Sequence, residues 1–160
     1  METLSPALDR LLRLRSLLGL RSPLNTAARL LNPFDARAGV DGVFHPGYIK
    51  LHLAAAERLG RERLVVVKGG GGEAERSAVK AVAAHWFQRD AGEGEAILAA
   101  TGASAGETSL AEVWHGAPGA GASVALATAG LALLGLGAGL PDLDARARDV
   151  WDRRHQPSPA

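Results

Sequence analysis

The sequence contains no cysteine among its 160 residues. This absence excludes disulfide bonds, thiolate metal sites and cysteine nucleophiles. The formal net charge is only +1 at pH 7, so the overall charge gives no reason to expect a polyanionic partner. The N-terminus has no signal-peptide core, because arginines separate its leucines. Together these absences favour a cytoplasmic protein.

One uncharged segment, residues 117–140, is long enough to cross a membrane. It consists mainly of alanine and glycine, which favour membrane insertion only weakly. We therefore predict a buried helix at roughly 121–137 and no membrane association. Because the rest of the sequence offers no obvious apolar partner for this helix, we expect a partner chain or a larger fold to cover it.

The first third of the chain predicts two short helices. Ser5 and Pro6 are typical of a helix start, and Gly19 is typical of a helix end. A second helix is predicted to begin at Pro23 and to stop at Asn32, where another proline follows. The tight join between them predicts an αα-hairpin.

The middle of the chain predicts an α/β fold with parallel strands and flanking helices. A short strand is expected at 38–45, a helix from Pro46 to Gly60, and a second strand at 63–68. The second strand is a continuous apolar run, as in a parallel strand covered on both faces. A strand, a helix and a strand in this order form a βαβ unit.

The last part of the chain is less clear. Residues 77–88 fit a strand or a helix, with the strand favoured, and 91–107 are predicted to be mostly loop. Ser109 and Glu112 have the spacing of a capping box, which predicts a helix start. A final amphipathic helix is expected at 141–154.

Four consecutive glycines, Gly69 to Gly72, follow the second strand directly. A strand, a glycine turn and a helix can hold a phosphate on backbone N–H groups. The Walker motif is absent, because Glu73 stands where that motif has lysine, and the G-x-G-x-x-A spacing of dinucleotide sites arises almost automatically in four glycines. The loop is therefore either a mobile turn or a phosphate site. Since Glu73 and Glu75 repel a bare phosphate, a divalent cation would have to lie between them.

Other candidate residues give weaker signals. The histidines are scattered without metal-ligand spacing, at positions 45, 52, 85, 115 and 155. Arg10, Arg13 and Arg15 belong to a basic N-terminal segment that is able to contact the phosphates of a nucleic acid. The alternative is that these arginines form an ordinary solvated helix face.

The segment LGLRSPLNTAARLLNP (18–33) resembles the L-G-x-R-T-x-x-N-x-x-G-P-L-x-N-P signature of the anthranilate phosphoribosyltransferases and their relatives, glycosyl transferase family 3. The order of GVFH, AAERLG and LVVVKG along the chain also agrees with this family. The chain is most similar to the branch that carries K-G-G-G-G-E, some of whose members bind nucleic acid.

This resemblance implies a partial phosphoribosyltransferase-type α/β domain at 1–155, with 156–160 as a disordered tail. It implies pentosyl transfer from phosphoribosyl diphosphate to an aromatic acceptor such as anthranilate, as in tryptophan biosynthesis, with Mg²⁺ on the diphosphate. The family's N-terminal Gly-Thr-Gly-Gly-Asp loop and Lys-His-Gly segment are not in the sequence. We therefore expect the chain to match the C-terminal portion of the fold, to be inactive alone, and to have a possible partner in a complementary N-terminal half.

Site residues follow from the resemblance by position. Substrate-binding roles are implied for a set of five residues: Arg21, Asn25, Lys68, Gly69 and Gly70. Arg21 matches the arginine that contacts the aromatic acceptor. The metal-binding Asp-Glu pair of the family falls at Ala74 and Glu75, so that Glu75 is kept as a metal ligand and the aspartate is lost. No catalytic residue is assigned.

Overall fold

The structure is a computed structural model that describes residues 5–19, 23–103 and 106–155. The chain divides into two compact units, Met1–Ala36 and Arg37–Ala160. The boundaries predicted for a single domain stay a prediction, and the predicted tail at 156–160 lies outside the described residues.

The first unit begins with helix α1 (Pro6–Leu18), and its ends match the sequence signals. The Ser5 hydroxyl accepts a hydrogen bond from the Leu8 N–H at 3.4 Å. Gly19 has a φ of 67°, and its N–H donates to the carbonyl of Arg15. A left-handed residue is needed at this position to turn the chain away from the helix, and glycine adopts it without strain.

Helix α2 (Pro23–Ala27) is shorter than the predicted second helix, because the chain tightens into a 3-10 turn at Ala28–Leu30. The stop at Asn32 is confirmed. The Asn32 side chain accepts from the Ala36 N–H at 2.9 Å and donates to the Ala36 carbonyl at 2.8 Å, which closes a local turn in place of another helical turn.

The second unit is a four-stranded sheet with helices. The strands are β1 (Ala38–Val43), β2 (Arg63–Lys68), β3 (Val82–Gln88) and β4 (Gly92–Leu98), and they lie side by side in this order. The helices are α3 (Tyr48–Arg58), α4 (Leu110–Trp114), α5 (Ala120–Gly135) and α6 (Leu143–Asp152). The α/β class is confirmed. The sheet is mixed: β1 and β2 pair in parallel, while β2–β3 and β3–β4 pair antiparallel.

The prediction of loop for most of 91–107 is wrong for β4. Glycine is rare in strands, so Gly92 and Gly94 hid the strand pattern. The structure gives the reason for Gly94, which lies opposite Trp86 in the register. A Cβ at Gly94 would overlap the Trp86 indole. The glycine is therefore required by the packing of its cross-strand neighbour.

Two apolar clusters hold the unit together, one on each face of the sheet. On the α5 and α6 side the cluster comprises Val65, Val67, Val82, Ala84, Leu98, Leu131, Leu134 and Leu143. On the α3 side it comprises Val43, Ile49, Leu53, Ala56, Leu64, Val66 and Phe87. Because β2 contributes to both clusters, its residues form the continuous apolar run seen in the sequence.

The expectation that α5 lacks partners within the chain is wrong. Helix α5 packs against β1, β2, β3 and α6. Its Gly135 allows close approach to Ala38 and Val65 of the sheet. Small residues bring the helix near to the strands, and its buried residues are Ala127, Gly130, Leu131, Leu134 and Gly135, while most of the others are half-buried. Among the described residues, no helix has the length and apolar character needed to cross a membrane.

Candidate functional site

The glycine loop, defined here as residues 69–73, begins where the two parallel strands end. The Gly69 N–H donates to the Val43 carbonyl at 3.0 Å, which extends the pairing of β1 and β2 by one residue. In α/β folds, ligands bind at the carboxyl ends of parallel strands. The loop therefore occupies the edge of the sheet where a site is expected.

The glycine loop folds back onto the strand ends. A Cβ at Gly42 would overlap the backbone of Glu73 and Ala74, and a Cβ at Gly69 would overlap the backbone of Glu73. These two glycines therefore leave the space that the returning backbone fills.

The Glu73 side chain occupies the N–H groups of its own loop. Its carboxylate accepts from the Gly70 N–H at 2.5 Å and from the Gly71 N–H at 2.6 Å. The backbone N–H groups of Glu73 itself, Gly71 and Gly70, in that order, hold the pKa of Glu73 below its usual value, and the charge of Lys68 contributes less. The loop thus holds an oxyanion that belongs to the chain itself.

The segment that leaves the glycine loop is anchored by Arg76, which is 1% exposed. Its guanidinium donates to both carboxylate oxygens of Asp144 in α6, at 2.5 and 3.2 Å, and to the Ala99 carbonyl at 2.8 Å. Its backbone N–H donates to the Thr128 hydroxyl of α5 at 3.1 Å. Gly130 leaves room for the guanidinium. Because the segment that follows the glycine loop is anchored in this way, we interpret the loop as ordered and not as a mobile turn.

The residues at this edge do not fit Mg²⁺ in the conformation seen. Ala74 has no carboxylate, and that of Glu73 faces N–H donors. Glu75 is exposed and makes no hydrogen bond or ion pair with the described residues. Within 5–19, 23–103 and 106–155, no three histidine or acidic side chains are grouped to hold a metal ion. The role of Glu75 as a metal ligand therefore stays a prediction.

The structure brings together three of the predicted substrate residues. Lys68 is exposed and lies 5.9 Å from the centroid of the Phe44 ring, while Gly69 and Gly70 are part of the glycine loop. Asn25 lies in α2, in the first unit. Arg21 lies outside the described residues.

The arginines proposed for nucleic-acid contact all lie in α1 and are exposed. Arg13 is paired with Asp9 one turn earlier, at 2.6 Å between Nε and the carboxylate oxygen. The pair offsets part of the positive charge on this helix face, which weakens its attraction for phosphates.

A buried polar pair was not predicted from the sequence. The His52 Nδ1 of α3 lies 2.9 Å from the Asp41 carboxylate of β1, and both side chains are almost fully buried. A signal was present, since Asp41 interrupts an otherwise apolar strand. The pair joins α3 to the sheet, so His52 is a packed histidine with a partner.

A cavity of about 530 Å³ lies elsewhere in the second unit. Its lining includes Ser123 of α5 and Asp144, Arg148 and Trp151 of α6. None of the residues predicted for substrate, metal or nucleic acid lines it. The cavity and the glycine loop are therefore separate features.

Comparison with known proteins finds partial relatives. The chain is 37% identical over 67 residues to the anthranilate phosphoribosyltransferase of Polynucleobacter necessarius, which covers 42% of this chain and 20% of the relative. It is 43% identical over 72 residues to that of Parasynechococcus marenigrum, covering 45% and 21%. An uncharacterised protein of Aquifex aeolicus is 38% identical over 65 residues, covering 41% and 21%.

These matches cover only part of each protein. No family model matches the chain. The matched segment spans about a fifth of the length of the curated relatives. Over that segment the two transferases are 37% and 43% identical to the chain, and the α/β architecture agrees with the expected domain type. The chain is therefore similar, over part of its length, to the anthranilate phosphoribosyltransferases, which confirms the resemblance predicted from the sequence.

Proposed function

We propose that the chain is a phosphoribosyltransferase-like protein that does not by itself transfer a pentosyl group. The family chemistry is displacement of diphosphate from phosphoribosyl diphosphate by an aromatic amine. The observation that carries the proposal is at the glycine loop, where Ala74 replaces the expected aspartate and Glu73 binds backbone N–H groups.

The charges at this edge support the proposal. A departing diphosphate accumulates negative charge that must be neutralised, commonly by a divalent cation held by carboxylates. Within 68–76, the cationic side chains are Lys68 and Arg76, and Arg76 is buried against Asp144. Lys68 is then the one cation of this segment that faces solvent, and it already lies near the Glu73 carboxylate. A single lysine is too weak a counter-charge for a diphosphate leaving group.

A turnover assay tests the proposal. The purified chain is incubated with phosphoribosyl diphosphate, anthranilate and Mg²⁺, and the phosphoribosyl product is followed by mass spectrometry. We expect no product above a protein-free sample. A complete anthranilate phosphoribosyltransferase from one of the relatives serves as the positive control. Product formed by the purified chain would contradict the proposal.

Two further proposals have less support. Nucleic-acid binding through Arg10, Arg13 and Arg15 is weakened by the Arg13–Asp9 pair. Assembly with a complementary N-terminal half has less support than the sequence suggested, because one face of α5 is already covered within the chain. The assay of the chain alone therefore comes first.

A further inference from the structure

We propose that the glycine loop is an oxyanion-binding site that needs no divalent metal and that the Glu73 side chain closes it from within. The chemical class of the ligand is a small oxyanion, with inorganic phosphate as the probe. The inference rests on the geometry of the loop and is independent of whether the chain transfers a pentosyl group.

Two N–H groups of the glycine loop converge on one acceptor. Those of Gly70 and Gly71 point at the two oxygens of one carboxylate, at 2.5 and 2.6 Å. Successive backbone N–H groups that converge in this way form a concavity that binds anions, and their bonds to a charged acceptor are short. Two oxygens of a phosphate have the same charge and similar spacing, so the Glu73 carboxylate stands in for them.

The glycine loop is held in shape by its surroundings. The backbone of Glu73 fills the space left by Gly42 and Gly69. Arg76 fixes the exit from the loop through Asp144. A site that is already ordered loses little conformational entropy when a ligand binds. The amides therefore do not depend on the ligand to bring them together.

The groups around the glycine loop determine the sign of the ligand's charge. The sequence alone favoured a metal-bridged phosphate, because two glutamates would repel a bare one. In the structure the Glu73 carboxylate is directed to N–H donors, and donors repel a cation. Lys68, the residue before the glycine loop, adds positive charge near the Glu73 carboxylate. Once the Glu73 carboxylate withdraws, N–H donors and an ammonium group remain, and they favour an oxyanion directly.

Glu73 then acts as an internal competitor. The apparent affinity for an external ligand is reduced by the fraction of time in which the site is closed. If the carboxylate occupies the amides for about nine-tenths of the time, its removal strengthens phosphate binding about tenfold.

The test compares Glu73→Ala with the matched variant Glu75→Ala. Both substitutions remove one negative charge from the same segment, but only Glu73 binds the amides. The backbone amide resonances of Gly70 and Gly71 are followed by ¹H–¹⁵N NMR as phosphate is added in the presence of EDTA, with chloride at equal ionic strength as the control. We expect saturable shifts in Glu73→Ala, and about tenfold weaker binding in the unsubstituted chain and in Glu75→Ala.

Three results would overturn the proposal. Equal responses in the two variants would mean that charge alone governs binding. An absence of shifts in both would mean that the amides are not a site, and a requirement for Mg²⁺ would restore the metal-bridged alternative. If Glu73→Ala does not fold, Glu73→Gln replaces it, because glutamine keeps the size of the side chain and removes its charge. None of these results depends on turnover, so this proposal and the proposed function can fail separately.

Discussion

The two halves of the sheet differ in how they are covered. Strands β1 and β2 have α3 on one face and α5 on the other. Strand β4 contributes its inner face to the cluster beneath α5 and α6, while its outer face presents Glu93, Glu95 and Ile97 to solvent. The glycine loop extends from the half that is covered on both faces.

This difference in burial indicates which part of the sheet is more rigid. Burial on both faces fixes β2, and the N–H groups of the glycine loop are positioned by its end. Strand β4 is packed on one face only, and its outer face carries a polar contact to His85 that water can replace. A preformed binding loop is expected next to the strand with most burial, because the loop takes its position from that strand.

The largest expected effect tests burial in the two halves directly. Leu64 is 0% exposed and Ile97 is 70% exposed, although both lie on the α3 side of the sheet. Leu64→Ala is expected to lower the free energy of unfolding by about 2–5 kcal/mol, because it leaves a cavity. Ile97→Ala is expected to change it by less than about 0.5 kcal/mol. Urea unfolding measures both, and equal losses would contradict the comparison.

A second pair of substitutions compares a histidine–carboxylate pair in each half of the sheet. Asp41 and His52 form a buried pair at 2.9 Å, and half-buried His85 forms a pair with exposed Glu95 at 3.2 Å. Asp41→Ala is expected to cost about 1–3 kcal/mol, since it leaves a buried imidazole without its partner. Glu95→Ala is expected to cost less than about 1 kcal/mol.

The salt dependence of the stability lost in Asp41→Ala and Glu95→Ala provides the control. Added salt screens exposed charges more than buried ones, so the small cost of Glu95→Ala should decrease further at high salt. The cost of Asp41→Ala should stay nearly constant. A large, salt-sensitive loss for Asp41→Ala would show that this pair is open to water.

The covered half of the fold was predictable, and a strand was correctly favoured for 77–88, but strand β4 was not predicted. The apolar run of 63–68 and the Pro46 to Gly60 helix pattern predict β1, α3 and β2, because burial on both faces leaves an uninterrupted signal. Strand β4 was missed because Gly94 makes room for Trp86, a contact that exists only after the strands pair. Local sequence contains no sign of that pairing.

The position of the glycine loop at the end of β2 was predictable from the sequence, but its internal contacts were not. The glycines mark the loop, but Glu73 and Glu75 look equivalent in the sequence. The backbone conformation that distinguishes them depends on Gly42, which is far away along the chain. Arg76 was missed for a similar reason, since Asp144 lies 68 residues further on. Contacts between residues that are so far apart in the sequence form only in the complete fold.

The smallest expected effect concerns an exposed local contact outside the sheet. At the start of α4, the Ser109 hydroxyl and backbone N–H both donate to the Glu112 carboxylate, at 2.7 and 2.8 Å. The Ser109 hydroxyl, followed by its backbone N–H, holds the pKa of Glu112 below its usual value. A depressed folded-state pKa means that the stabilisation is present above the unfolded pKa and is lost as the pH falls through the folded one.

Glu112→Gln is therefore expected to lower the melting temperature slightly at neutral pH and to have almost no effect at a pH below the pKa of Glu112 in the folded chain. Thermal unfolding at both pH values measures the difference, with Glu107→Gln as a control for the loss of one acidic charge near the same helix. The effect should be smaller than that of Asp41→Ala, because water can replace the hydrogen bonds of an exposed cap. A larger effect would mean that α4, in spite of its short length and its single buried residue Val113, contributes to the stability of the covered core.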